Sequence, residues 1–164
     1  MDAPRDFDTF YTGTSRRLVA QVYALVGDRS EAEDAVAEAY ARAWQRWPTV
    51  SGYEDPAAWV RTVAYRIAVS SWRRALNRRS AHARLDHRPA APPPGPEVVL
   101  LAQALRRLPL AQRRALVLYY LADLPVQRIA DETGASLSAV KAQLSRGRRA
   151  LAALLDREAT WQTS

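Results

Sequence analysis

No catalytic acid, base and nucleophile can be assembled from this sequence, so an enzyme is not expected. Two sets of side chains do have the types and spacing to hold a polyanion. The first is Thr62, Arg66, Ser70, Arg73 and Asn77, three or four residues apart and therefore on one helix face. Tyr65 and Trp72 flank that face, and Arg74, Arg78 and Arg79 extend its positive end. Guanidinium forks grip phosphate, and rings stack on bases that have left the duplex. The same two rings equally suit a core with arginines reaching past them to water, and spacing alone leaves both readings open.

The second set lies in residues 126–149, VQRIADETGASLSAVKAQLSRGRR. Ile129 and Ala130 face inward, and the small Ala130 lets two helices approach. Gly134 suits a sharp inter-helix turn, while Val140 and Leu144 anchor the following helix. This is a helix-turn-helix pattern. Its second helix exposes Ser138, Ala139, Lys141 and Ala142 early, with Gln143 and Arg146 further along. Such an N-terminus can enter a major groove while Arg146, Arg148 and Arg149 hold phosphates. An ordinary helical hairpin carries similar alanines and glycine, and the basic tail favours DNA.

A third set is acidic. Glu31, Asp34 and Glu38 share one helix side, with Arg42 one turn beyond Glu38. They form either a solvated face with an internal ion pair or a docking face for a basic or mixed protein surface.

Composition agrees with a nucleic-acid partner. The 164 residues carry a formal net charge of +7, and a basic protein often meets a polyanion. Lys141 is the one lysine among 24 basic residues, a bias that a GC-rich coding sequence also produces. The lack of cysteine excludes disulfides and thiolate chemistry. His82 and His87 have no nearby ligands for a zinc site, so no metal or cofactor is expected. The start MDAPRDFDTF does not read as a signal peptide, and no apolar run approaches spanning length. No membrane insertion and a cytoplasmic location are therefore expected.

The elements that position these sets all read as helices. Residues 6–26 place Phe7, Phe10, Tyr11, Leu18, Val22 and Leu25 at helical spacing before Gly27. Ser30 and Glu33 form an expected capping box for a second helix. Its stripe runs from Ala32 through Tyr40 to Trp47, and Pro48 ends it. A third spans residues 56–79 with Trp59, Val60, Val63, Ala64 and Ile67 inward. SAHARLDHRPAAPPPGP, residues 80–96, reads as a Pro-rich linker with room for a short helix near 81–85. Beyond it, Val98, Leu101, Leu105 and Leu108 mark a short helix, and Pro109 and Pro125 open two more. Ser136 or Ser138 starts the last, which is expected to end near Leu155. The expected fold is all-α: two small helical domains, 1–79 and 97–158, joined by the linker 80–96.

Three stretches, in this order, resemble the extracytoplasmic-function group of sigma factors. They are DRSEAEDAVAEAYARAW (28–44), PAAWVRTVAYRIAVSSWRR (56–74) and LRRLPLAQRRALVLYYLADLPVQRIADETGASLSAVKAQLSRGRRAL (105–151). The resemblance implies sigma domains two and four, and a protein that directs core RNA polymerase to promoters. It implies that Glu31, Asp34, Glu38, Arg42 and Gln45 meet the polymerase, with the helix on the β′ clamp helices. Trp59, Thr62, Tyr65, Arg66, Arg73, Arg74 and Arg78, together with the loop 48–55, would read and open the minus-ten element. Domain four would rest on the β-flap, with Ser136, Ser138, Lys141, Gln143, Arg146, Arg148 and Arg149 at the minus-thirty-five element. An anti-sigma factor is a further implied partner. The sequence departs from the family pattern at Arg66, Ser70 and Arg128, where asparagine, aspartate and glutamate are usual. Arg66 is expected to replace a neutral polar contact with a phosphate contact. Two other readings are a conventional helix-turn-helix regulator that binds duplex operators without polymerase, and a protein-only adaptor.

Overall fold

In the computed structural model, residues 3–78 and 95–162 are described, and all their regular elements are helical. They fall into two compact units, Met1–Pro93 and Pro94–Ser164. Residues 79–94, which include Arg79 and most of the expected linker, lie outside the described residues. Among the described residues no helix is long and apolar enough to cross a membrane.

The first unit is built from α1 (Ala3–Val26), α2 (Arg29–Gln45), the single turn α3 (Trp47–Val50) and α4 (Pro56–Asn77). Helix α2 packs against both α1 and α4. Its alanines 32, 35, 39 and 43 are buried and let the neighbouring helices come close. Val22, Leu25 and Val26 of α1 and Val60, Ala64 and Ala68 of α4 complete the core. Full burial of a valine or leucine contributes about 1.5–3 kcal/mol. A ring cluster closes one end. Phe7 lies 5.0 Å from Trp44 and 5.2 Å from Trp47 between centroids, and Tyr40 lies 4.9 Å from Tyr11. Thr14 donates its one hydroxyl proton to the Phe10 carbonyl at 2.6 Å. The 2.5 Å bond between Thr14 and Tyr40 therefore has the tyrosine as donor. Burial raises the Tyr40 pKa above its ordinary 10.0.

Two boundaries differ from the expected ones for local reasons. Asp28, not Ser30, caps α2: its carboxylate accepts the Glu31 amide at 3.0 Å. A carboxylate two residues earlier answers the free amides equally well, and Glu33 instead pairs with Arg29 at 3.0 Å. Pro48 also acts earlier than expected. It has no amide to extend α2, which stops at Gln45. Pro48 sits instead in the first turn of α3, where an amide has no helical partner anyway. Trp47 is buried from α3 rather than from α2.

The second unit comprises α5 (Pro96–Arg106), α6 (Leu110–Leu116), α7 (Val126–Thr133) and α8 (Leu137–Gln162). Pro96, expected in the linker, opens α5 from its first turn. Helix α6 runs on into a wider π turn, Val117–Leu121. Arg113 is only 2% exposed. Its guanidinium donates to the carbonyls of Arg106 at 3.3 Å and Leu108 at 3.0 Å, closing the end of α5. Burial, with the charge of Arg106, lowers its pKa from the ordinary value. Gly147 of α8 is buried against α6, and a Cβ there would lie 3.0 Å from the Leu116 side chain. Helix α8 ends two turns beyond the expected Leu155. The apolar stripe fades there, but DREATW contains no breaker, so the helix continues on propensity.

Candidate nucleic-acid interface

Two cationic surfaces and one mixed surface emerge. On α2, Asp34, Glu38, Arg42 and Gln45 are exposed as expected. Glu38 and Arg42 pair at 2.9 Å with both side chains 52% exposed, so the pair is solvated and adds little stability. Glu31 is placed differently from its neighbours. It is half-buried, and its carboxylate accepts the Ser71 hydroxyl of α4. Its oxygen is used inside the unit, tying the start of α2 to α4.

Helix α4 starts from a capped end. Asp55 accepts the Ala58 amide at 3.1 Å, and Pro56 follows. Arg66, Ser70, Arg73, Arg74, Asn77 and Arg78 are exposed along it. Thr62 is half-buried and donates to its own helix at Ala58, 2.9 Å away. Tyr65 corrects the expected strand-stacking set: its ring is 1% exposed and its hydroxyl donates to buried Gln21 at 3.3 Å. No base can stack on it. The buried face of α4 is Val60, Arg61, Ala64, Tyr65 and Ala68. The expected stripe through Trp59, Val63 and Ile67 lies to one side, half-buried. Arg61, 7% exposed, belongs to this buried face. Trp72 is half-buried.

The fold also joins two sets that were read separately. Arg42, Gln45 and Arg46 end α2, and Trp59, Val63 and Arg66 lie in the first half of α4. Together they line one open cavity of about 450 Å³. Arg46 and Val63 were missed as site residues. Arg46 adjoins Gln45, but only the packing of α2 on α4 shows that both face Arg66.

In the second unit, α7 and α8 are joined through Gly134, whose φ of +71° is the left-handed geometry that glycine adopts freely. Ser136 is the cap of α8, its hydroxyl accepting the Ala139 amide at 3.1 Å. That bond turns the Ser136 oxygen toward the backbone, while Ser138 stands exposed beside it. Val140, Leu144 and Gly147 are buried, which turns Ser138, Lys141, Ser145, Arg146, Arg148 and Arg149 outward. Gln143 is half-buried. Ser145 was missed, although counting seven residues from Ser138 finds it near the centre of the exposed face. Arg148 is exposed but already engaged. Its Nε donates to the Tyr120 hydroxyl at 2.7 Å, and its guanidinium lies 5.2 Å and 5.6 Å from the rings of Tyr119 and Tyr120. The π turn brings that pair of rings together, with centroids 4.9 Å apart. A short, polar, basic helix face behind a tight turn has the shape and charge to lie in a DNA groove.

Comparison with known proteins adds family evidence. Residues 10–79 match the family described as Sigma-70 region 2, and residues 99–151 match Sigma-70, region 4. The chain is similar to the ECF RNA polymerase sigma factor SigJ of Mycobacterium tuberculosis, 32% identical over 84% of this chain and 47% of that protein. It thus spans about half the length of that relative. The ECF RNA polymerase sigma factor SigK of Mycolicibacterium vanbaalenii is 27% identical over 88% of this chain and 79% of its own length. Among solved structures, the fold is similar to the sigma factor RpoE bound to the anti-sigma factor NepR from Bartonella quintana. That TM-score is 0.75 at 22% identity, covering 93% of this chain and 98% of the other. The crystal structure of SigJ itself gives a TM-score of 0.56 at 27% identity, over 84% of this chain and 50% of that one.

Proposed function

Since the chain belongs to the extracytoplasmic-function sigma factors of the sigma-70 family, we propose that it binds core RNA polymerase and directs initiation at a specific set of promoters. The single observation that carries this reading is the pairing of two different cationic helices in one chain. Helix α4 presents its arginines beside an open cavity, suited to an unpaired strand. Helix α8 presents a smooth Ser, Lys and Arg face behind a glycine turn, suited to duplex.

In this reading residues 1–79 act as sigma domain two and residues 97–158 as domain four. Asp34, Glu38, Arg42 and Gln45 of α2 meet the β′ clamp helices. Arg66, Arg73, Arg74 and Arg78 hold the minus-ten strand, with Trp59 as the available ring. Ser138, Lys141, Ser145, Arg146 and Arg149 face the minus-thirty-five duplex, and the rest of the second unit meets the β-flap. The protein needs no catalytic group, because the polymerase supplies the chemistry, and it acts in the cytoplasm. The partner in the RpoE complex makes an anti-sigma factor the natural regulator here as well.

Run-off transcription with purified bacterial core polymerase on a library of promoter fragments tests this reading. New transcripts with defined start sites are expected only when the protein is added. Duplex binding by the protein alone, with neither core binding nor transcripts, would establish a conventional regulator. Core binding without sequence-selective DNA binding would establish an adaptor.

A further inference from the structure

Arg42 and Arg148 are both anchored arginines, and their anchors differ in charge. Arg42 gives its Nε to Glu38 at 2.9 Å, so a carboxylate offsets it. Arg148 gives its Nε to the Tyr120 hydroxyl at 2.7 Å. Its guanidinium also lies 5.2 Å and 5.6 Å from the ring centroids of Tyr119 and Tyr120, both within reach of a cation–π contact. A phenol is uncharged at neutral pH, so this anchor fixes the side chain and leaves its full positive charge for a partner. The bond at Nε leaves the two Nη groups as a fork.

The backbone departs from plain helix where this anchor is built. In the π turn the Ala122 amide donates to the Val117 carbonyl, five residues back, at 3.1 Å, and Asp123 follows with a φ of +55°. Left-handed backbone is uncommon for a residue other than glycine, and single π turns frequently mark functional sites. Here the turn sets the Tyr119 and Tyr120 rings at 78° to each other, a corner that holds Arg148. Tyr120 is 54% exposed, so the corner opens to water.

The place of Arg148 on α8 gives the ligand. It stands seven residues after Lys141, two turns along the same edge of the helix and about 10 Å away by helical rise. Ser138, Ser145 and Arg149 lie along the middle of the exposed face, and Arg146 lies on its opposite edge. A helix in a major groove turns the middle of its face to base edges and its sides to the backbones. A charged fork held at the side matches a phosphate. Resting on the duplex-reading role proposed above for α8, we infer that Arg148 binds one backbone phosphate of the duplex and that Tyr120, outside the helix-turn-helix, is its positioning residue. Tyr119 forms the second wall of the corner. Holding the side chain before DNA arrives removes an ordering cost that a free arginine would meet on binding. The contact sets affinity and register, not base choice.

The test uses the full chain assembled with core polymerase and duplex promoter fragments that carry one neutral methylphosphonate at successive backbone positions of the upstream element. Wild type should be weakened at several positions. Arg148→Ala should bind unmodified DNA about tenfold more weakly, as loss of a charged hydrogen bond requires. It should be indifferent to the methylphosphonate at one or two adjacent positions and keep wild-type sensitivity at the others. Tyr120→Phe keeps the ring and removes the hydroxyl. It should bind about threefold more weakly, lose sensitivity at the same positions and melt at the wild-type temperature. In the Arg148→Ala background Tyr120→Phe should cost nothing further, because the tyrosine acts through the arginine. Any of four results would overturn the inference: a wild-type methylphosphonate pattern in Arg148→Ala, additive losses in the double variant, a loss of core binding by Arg148→Ala with its DNA pattern intact, or tighter DNA binding by Tyr120→Phe. The third would give Arg148 to a protein surface, and the last would make the tyrosines a restraint that keeps it off DNA. Failure of the wild-type assembly to bind any fragment selectively would instead remove the duplex-reading role of α8, and this inference with it.

Discussion

Helices α4 and α8 are both long and cationic, yet they handle bulk and charge in opposite ways. Helix α4 buries Tyr65 and Arg61 on its inner face and keeps six polar or charged residues from Arg66 to Arg78 outside. Among the described residues of helix α8, Val140, Leu144 and a glycine are buried, and the rings beside it come from the π turn of another segment. A helix that keeps a large ring inward needs a partner with a thin surface, and α2 supplies one through its alanines. A helix that approaches its partner through a glycine has no room for a ring. The lesson is that an aromatic residue on a basic helix signals base stacking only after the buried face has been located.

The comparison can be broken most directly at Tyr65. Tyr65→Ala should destabilise the first unit by about 3–5 kcal/mol, and Tyr65→Phe by about 1 kcal/mol through the lost bond to Gln21. Denaturant unfolding measures both. A Tyr65→Ala protein as stable as wild type that no longer holds single-stranded DNA would return the ring to the strand-binding set. On α8 the corresponding change is Gly147→Leu, which drives a branched side chain into Leu116. A loss of about 1–3 kcal/mol is expected, and an unchanged melting curve would mean that α6 and α8 do not meet there.

Smaller effects sharpen the outer faces. Lys141→Ala and Arg149→Ala should each reduce the salt slope of duplex promoter binding by about one unit, with folding stability changed by no more than about 0.5 kcal/mol. A slope equal to wild type would move these residues off the phosphates. Tyr40 gives the smallest effect under ordinary conditions. Its pKa in the fold is raised above the ordinary 10.0. Its contribution is therefore complete below about pH 10 and is lost as pH rises through the raised value. Tyr40→Phe should flatten that alkaline decline in a melting series, and a decline of equal slope would place the titrating group elsewhere.

The helical order was legible because period and punctuation agreed. Gly27, Pro56, Pro109, Pro125 and Gly134 each stand at or beside a helix end. What stayed hidden depended on contacts between elements. Burial of a guanidinium, as at Arg61 and Arg113, is decided by its neighbours, and the inner face of α4 lies one residue away from the expected stripe. Asp28 and Ser30 are both good caps, and only the backbone tells which is used. The acidic, arginine-rich and helix-turn-helix sets were visible at once, since each lies on a single helix or hairpin. The cavity was not, because its six lining residues belong to two helices that meet only in the fold.

Arg113 has a consequence for how the second unit opens. The carbonyls of Arg106 and Leu108 receive hydrogen bonds from a side chain on α6. Helix α5 cannot peel away alone without stranding a buried cation, Arg113, and the buried Leu108 carbonyl together. Fraying is therefore suppressed at this joint, and α5 and α6 open as one cooperative block. The protection of their amides against hydrogen exchange should follow a common free energy, although one of these helices is only eleven residues long.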